Sequence, residues 1–189
     1  MRRCKGCAAM NSGSSNHRQI MARGFTLIEM LVVIAVIATL AGVATPLFLS
    51  MRAKSKETAC LANLQQISIA LQAYLQENQS RMPTLALSRT SKSDPSPVLE
   101  TLLMPFLESD APFHCPADAE EFAKTGSSYC WNTTQNNRTL HELFFFGEDH
   151  ERPQRIPLIS DKEAWHPSGA NILYADLSSS NEKRFRVGR

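Results

Sequence analysis

The cysteines are the side chains in this sequence whose type could support covalent or metal chemistry. Cys4 and Cys7 form a single CxxC, which is a weak zinc signal without a second pair. Cys60, Cys115 and Cys130 follow much later, and in an oxidising compartment three cysteines allow one disulfide and one free thiol. Because they are close in a loop-rich region, we predict that Cys115 and Cys130 pair, with Cys60 buried and free. The alternative is three reduced thiols packed as small apolar groups.

A second group of polar side chains, near the C-terminus, has types that could bind a metal ion. His166, Asn171 and Asp176 follow Asp161 within neighbouring predicted turns. Oxygen ligands suit calcium, but calcium rarely uses histidine, and zinc sites prefer closer clusters of nitrogen and sulfur ligands. We therefore predict no metal, with His166 and Asp176 as weak candidates. We expect these two residues to bracket a hairpin and to hydrogen-bond backbone groups at its ends.

No motif in the sequence predicts an enzyme. His141 and Glu142 could begin an HExxH zinc motif, but Phe145 stands where the second histidine belongs. The sequence has neither a phosphate-binding P-loop nor a GxSxG nucleophile motif. We therefore predict a non-enzymatic protein that needs no cofactor.

Glu29 is an acidic residue at the threshold of a long uncharged run. Residues 30–51 carry no charge, and a helix needs ~20 apolar residues to cross a bilayer core. A cleaved secretory signal has a shorter apolar core of ~7–15 residues. A plain membrane anchor does not explain Glu29, since a carboxylate at membrane depth costs roughly 2.5–3.5 kcal/mol. We therefore predict that Glu29 is functional and has a partner.

The segment from Gly24 to about Ala44 resembles the class III signal of type IV prepilins and type II secretion pseudopilins. The resemblance implies that a prepilin peptidase cuts after Gly24 and then N-methylates Phe25. It also implies that Glu29 pairs with the N-terminal ammonium of a neighbouring subunit, which offsets the cost of two lone charges in a low dielectric. The residues that carry the resemblance are Gly24, Phe25, Thr26, Leu27, Glu29 and the later Pro46.

The charge distribution is uneven along the chain and fits this interpretation. Five basic residues and no acidic residue precede Phe25, which leaves 15 basic against all 18 acidic residues in the remainder, a net charge of −3. A basic flank marks the cytoplasmic side of a membrane segment, so the basic isoelectric point does not predict a nucleic-acid partner. Met21 is an alternative start that leaves the cut site unchanged. The five basic residues are Arg2, Arg3, Lys5, Arg18 and Arg23.

The domain organisation follows from the signal and the uncharged run. We expect a cleaved cytoplasmic leader at 1–24, a transmembrane helix at 25–49, a helix extension at 50–80 and a periplasmic head at 81–189. The chain would then cross the bacterial inner membrane once, with its N-terminus in the cytoplasm, and would leave the membrane on assembly into a filament.

A long helix must carry the signal, because the apolar stripe continues beyond the uncharged run at steps of three and four residues. We predict one helix from about Phe25 to Gln79, with a kink or local loosening at Pro46. Its first half lies in the membrane, and its second half packs on a globular domain. The residues of the continued stripe are Leu61, Leu64, Ile67, Leu71 and Tyr74.

The head is predicted to combine a short helix with a small antiparallel sheet. Val98–Leu107 has an apolar helical face despite Pro105. The fold class is therefore α+β and pilin-like, with the sheet packed on the long helix. The predicted strands are Ser127–Asn132, Leu140–Phe146, Ile156–Asp161 and Ala170–Ser178.

The head also resembles prepilin-type proteins of planctomycetes and verrucomicrobia, which typically end in a histidine, nine residues and Asp-Gly. Here His166 is followed by nine residues and Asp176, but Leu177 replaces the glycine, so the final turn could differ. The segments that carry this resemblance are Phe113–Asp118, Ser128–Asn132 and His166–Asp176.

Two classes of function are compatible with these features. The first is a structural subunit of a type II secretion pseudopilus or type IV pilus-like filament. Its partners would be the prepilin peptidase, other pilin or pseudopilin subunits and the inner-membrane assembly platform. The second is a solitary membrane-anchored binding module that uses the prepilin signal for targeting. Secretion, adhesion and DNA uptake are all compatible with the residues.

Overall fold

The computed structural model describes residues 24–185, and the chain divides into two compact units, residues 1–43 and 44–189. Helix α1 runs from Leu27 to Glu77 and continues through Pro46, which confirms the predicted long helix. Its residues up to Val43 belong to the first unit and the others to the second. Most of the predicted leader lies outside the described residues.

The first unit presents apolar side chains to its surroundings. Every described residue from 24 to 43 is exposed. Helix α1 is long and apolar enough to cross a membrane by length and composition, and none of its apolar window is buried. A Cβ atom placed on Gly42 would meet no atom within 4 Å, so the small surface at Ala38 and Gly42 is open to a neighbouring helix.

The second unit is built on one face of α1. The buried residues of this helix recur at steps of three and four, as the apolar stripe predicts. Leu64, Ile67 and Leu71 have no exposed surface. The full set of buried α1 residues is Glu57, Cys60, Leu64, Ile67, Ser68, Ala70, Leu71 and Leu75.

Two short helices follow α1. Helix α2 covers Leu99–Leu103 and continues into a 3-10 turn at Met104–Phe106, so the predicted helix is confirmed with a tighter last turn at Pro105. Helix α3, Glu121–Thr125, was not predicted. The Asp118 carboxylate accepts hydrogen bonds from the amides of Glu121 and Phe122 at 2.8 Å each, which caps α3.

The sheet has four antiparallel strands in the order β1-β4-β5-β6. Strand β1 carries Tyr129 and Trp131 on its buried face, while Cys130 lies on the other face. A separate hairpin joins β2 to β3 through Phe146 and Gly147, which both have positive φ. The strands are β1 Tyr129–Trp131, β2 Phe144–Phe145, β3 Glu148–Asp149, β4 Pro157–Asp161, β5 Ile172–Tyr174 and β6 Ser179–Ser180.

The α+β class with one long helix and a small antiparallel sheet is therefore confirmed. The predicted strand Leu140–Phe146 is wrong in its first half, because Leu140–Glu142 forms a 3-10 turn that Thr139 and Glu142 close as a capping box. The predicted strand Ala170–Ser178 contains β5, and its last residues form the turn that leads into β6.

Candidate functional site

The two residues on either side of the predicted cut, Gly24 and Phe25, are exposed in the described structure. Phe25 is 76% exposed. A Cβ atom on Gly24 would meet no atom within 4 Å, so no packing among residues 24–185 requires glycine there. A requirement for glycine at this position would therefore come from another protein that binds the segment around Gly24.

Thr26 and Glu29 form a capping box at the start of α1. The backbone amide and the hydroxyl of Thr26 both donate to Glu29 Oε2 at 2.9 Å. The Glu29 amide donates to Thr26 Oγ1 at 3.2 Å. Sequence reasoning missed this role, although Thr-x-x-Glu before an apolar run is its signature. Glu29 therefore orders the first helical turn within its own chain.

The capping box leaves Glu29 able to act between chains as well. The carboxylate is exposed, and both of its bonds to Thr26 use the same oxygen atom. The apolar residues around it are exposed too, so a neighbouring chain that covers them would remove water from the carboxylate. In such an environment an ammonium group is a strong partner.

The predicted disulfide is wrong. In the structure Cys60 of α1 bonds to Cys115, and Cys130 is the free cysteine. Cys60 is buried as predicted, because it shares the helical face of Leu64, but it is not free. Cys130 cannot reach Cys115, because strand alternation turns it away from the face that carries Tyr129 and Trp131. Cys130 Sγ lies 3.3 Å from Ser160 Oγ instead.

His166 and Asp161 lie together beside the disulfide. His166 Nε2 is 3.3 Å from Cys115 Sγ and 3.5 Å from Asp161 Oδ2. Burial raises the pKa of Asp161 to about 7, while its hydrogen bond from the Asn171 amide lowers it and Glu57 raises it further. Burial lowers the pKa of His166. Because each shift favours the neutral form, the pair fits a buried uncharged contact near neutral pH.

The two weak metal candidates do not share a site. Within residues 24–185, one group of potential ligands has its atoms within 4.8 Å of one another, and it consists of Cys60, Cys115 and His166. Asp176 is not part of this group. The two sulfur atoms of that group are bonded to each other, so they do not act as thiolate ligands here.

Asp176 and His166 each contribute to a turn, but to two different ones. Asp176 Oδ1 accepts from the Ser178 amide at 3.0 Å and closes the turn between β5 and β6. The His166 carbonyl accepts from the Gly169 amide at 2.9 Å, while its side chain points to the disulfide. Leu177, which replaces the expected glycine, has φ +64°, so the final turn keeps the left-handed conformation that favours glycine.

Comparison with known proteins assigns the N-terminal segment. Residues 21–45 match the family described as the prokaryotic N-terminal methylation motif. The chain is 40% identical over 55 residues to the type IV major pilin protein PilA of Myxococcus xanthus (strain DK1622). These aligned residues are 29% of this chain and 25% of that protein. The chain is also 31% identical over 80 residues to the type II secretion system core protein G of Pectobacterium carotovorum subsp. carotovorum. This alignment covers 42% of this chain and 49% of that protein.

The long helix and the small antiparallel sheet form an α+β fold, and the methylation motif covers the start of the long helix. The chain carries the N-terminal methylation motif and is similar over part of its length to a type IV pilin and to a type II secretion system core protein. The alignments span about half or less of the length of these relatives. No solved structure gives a significant match.

Proposed function

We propose that this chain is a prepilin-like structural subunit of a type II secretion pseudopilus or a type IV pilus-like filament. A prepilin peptidase cuts it after Gly24 and N-methylates Phe25. The mature helix then leaves the inner membrane through an assembly platform and packs with the helices of other subunits. The head lies on the periplasmic side.

The observation that carries this proposal is the combination at the start of α1. An open cut site precedes Glu29, whose carboxylate is held in place by Thr26. The helix that follows exposes its whole apolar surface from residue 27 to 43. An exposed apolar surface of this size needs lipid or other helices around it, and a filament subunit uses both in turn.

The processing step is tested by intact-mass analysis after co-expression with a prepilin peptidase. We expect loss of residues 1–24 and an added methyl group on Phe25. Gly24→Val should block cleavage, because Gly24 lies at the cut, whereas the matched control Gly42→Val should be cut normally. Both glycines have open space around them, so a difference between the variants reports recognition by the peptidase rather than a clash within the described residues. A mature N-terminus near Thr45 would contradict the proposal, since it would indicate an ordinary signal peptide.

The assembly step is tested with two substitutions that separate the two roles of Glu29. Glu29→Gln keeps a capping box, because glutamine serves at this position, but removes the charge. Glu29→Ala removes both. If charge pairing drives assembly, both variants should be processed normally and both should fail to enter filaments with wild-type subunits. Normal assembly of Glu29→Gln with failure of Glu29→Ala would assign the residue to capping alone.

Detection of processed protein that never forms filaments, even with the assembly ATPase and platform present, would favour the alternative of a solitary membrane-anchored binding module.

A further inference from the structure

A basic pocket lies in the second unit, immediately after the uncharged run. Arg52 and Lys56 line it from α1, and Trp165 lines it from the segment before β5. The cavity measures about 450 Å³. Leu49, the last large aliphatic side chain before these cations, also lines the pocket and gives it an apolar surface. The pocket therefore combines two cations, an indole ring and an apolar wall.

The two cations are available to a ligand. Arg52 and Lys56 are four residues apart and therefore lie on one face of the helix. Within the described part of the chain, no carboxylate lies within ion-pair distance of either side chain. Glu57, the nearest acid in sequence, is buried and accepts hydrogen bonds from Ser168 and from Asn181. The pocket thus carries two cations that form no ion pair with a carboxylate of the described residues.

The position of the pocket along the helix sets its depth relative to a membrane. The hydrocarbon core is about 30 Å thick and the whole bilayer about 40–45 Å, so each head-group layer spans about 5–8 Å. At a rise of about 1.5 Å per residue, Arg52 to Lys56 lie within about 8 Å of Met51, where the uncharged run ends. Trp165 then lies where tryptophan is enriched, at the boundary between lipid and water.

We propose that this pocket binds the phosphate of an anionic phospholipid head group. The inference rests on the proposed insertion of residues 30–51 in a membrane. The Arg52 guanidinium can donate two parallel hydrogen bonds to the phosphate, and the Lys56 ammonium adds a compact second charge. Trp165 and Leu49 contact the glycerol and the upper acyl chains. The bound lipid fixes the head at the membrane surface before assembly.

The test uses the full chain in lipid nanodiscs and the fluorescence of Trp165. Trp131 is completely buried in the core, so quenching by bromine on a lipid reports Trp165. Brominated phosphatidylglycerol in plain phosphatidylcholine is compared with brominated phosphatidylcholine in plain phosphatidylglycerol, at equal bromine content. We expect stronger quenching in the first mixture, and Trp165→Phe should abolish the difference.

Three variants distinguish a pocket from a diffuse basic surface. Arg52→Gln and Lys56→Gln should each reduce the preference for phosphatidylglycerol by more than the factor of about five that one basic residue contributes by its charge alone at a membrane surface. Lys54→Gln, which removes the same charge from the same segment outside the pocket, should reduce the preference by no more than that factor. An equal loss in Lys54→Gln, or no preference in the wild type, would overturn the inference.

Two further measurements identify the ligand source. Displacement of the lipid by millimolar inorganic phosphate would assign the pocket to free anions, and quenching that depends on the number of chains per disc would assign it to a second copy. Either result overturns the lipid assignment. A portion of the same nanodiscs is incubated with prepilin peptidase, and cleavage after Gly24 is followed by mass. Normal cleavage without lipid preference contradicts this inference alone, whereas absent cleavage contradicts the proposed processing.

Discussion

Helix α1 contains two stretches, residues 27–43 and 57–77, that share the helical conformation but differ in whether the rest of the chain buries them. In the first stretch every side chain is exposed, although nearly all are apolar. In the second, one face is buried, and several links tie it to the head. The Cys60 disulfide is covalent, Tyr129 Oη donates to the Cys60 carbonyl at 3.4 Å, and Ser179 Oγ donates to the Leu61 carbonyl at 3.3 Å.

This difference shows how one helix can serve two purposes. The second stretch is a structural element whose contacts lie within its own chain, so substitutions there should change folding. Among the described residues no tertiary contact buries the first stretch. Substitutions there should therefore change insertion or assembly and leave the head folded. The two kinds of substitution can be distinguished by denaturing the full chain in detergent micelles. Tryptophan fluorescence then follows the unfolding of the head.

The largest effect should come from the disulfide. Its cysteines are 55 residues apart, and closing a loop of that length stabilises by about 4 kcal/mol in the chain-entropy model. We expect the double substitution of Cys60 and Cys115 by alanine to lower the free energy of unfolding by several kcal/mol. The control Cys130→Ala should cost about 1 kcal/mol or less, because this half-buried thiol is free. Peptide mapping without reduction that linked Cys115 to Cys130 would contradict the structure.

A matched pair of leucines tests the comparison directly. Leu64 has no exposed surface, whereas Leu40 is 65% exposed. Leu64→Ala should lower the free energy of unfolding of the head by about 2–5 kcal/mol, since it removes buried methyl groups and leaves a cavity. Leu40→Ala should leave it unchanged within about 0.5 kcal/mol. A comparable loss in Leu40→Ala would show that the first stretch also supports the head.

The sequence predicts the features of the two stretches that depend on neighbouring residues well, and contacts between residues far apart in the chain poorly. The uncharged run and the three-four spacing predict α1 and its buried face, because both depend on neighbours within a few turns. The capping box was also visible in the sequence as Thr26 and Glu29. The pairing of Cys60 with Cys115 was not predicted, because spacing along the chain says little about which loop residue packs on which face of a helix. Two local signals, the helical phase of Cys60 and the alternation around Cys130, indicate only that Cys60 faces the core and that Cys130 lies on the other face of its strand.

The cluster of His166, Asp161 and Cys115 depends on tertiary contacts for the same reason. Three separate segments bring these side chains together, and the sequence suggested instead that His166 and Asp176 act on one hairpin. The turn at Leu177 is an intermediate case. The resemblance predicts glycine there, and the backbone keeps the glycine-like conformation even though the side chain differs.

A smaller effect should come from the buried Asp161. Its folded-state pKa of about 7 lies above the unfolded value, so the folded chain binds the proton more tightly. Its contribution is therefore complete below about pH 4 and is lost as the pH rises towards 7 and above. Asp161→Asn, which keeps an oxygen for the Asn171 amide, should raise the free energy of unfolding at pH 8 by about 1–2 kcal/mol.

The control for this substitution is the comparison of wild type and variant at pH 4, where the two proteins should be equally stable within about 0.5 kcal/mol. His166 contributes in the opposite direction, because its lowered pKa destabilises the fold as the pH falls below about 6.5, but it is present in both proteins. A difference between wild type and variant that does not change from pH 4 to pH 8 would show that Asp161 does not titrate in this range.

The smallest effect concerns Leu177, in the turn after β5. Leu177 lines one cavity together with Gln72 and Leu75, which belong to the second stretch of α1. A left-handed backbone costs a residue other than glycine about 1–2 kcal/mol, whereas glycine gives the unfolded chain extra freedom worth about 0.4–1 kcal/mol. Leu177→Gly should therefore be more stable than Leu177→Ala by up to about 1 kcal/mol. The same pair at Ser55, exposed within α1, should show the reverse order, because glycine costs about 1 kcal/mol relative to alanine in a helix. If alanine were better at both positions, the turn after Asp176 would not hold its left-handed conformation in solution.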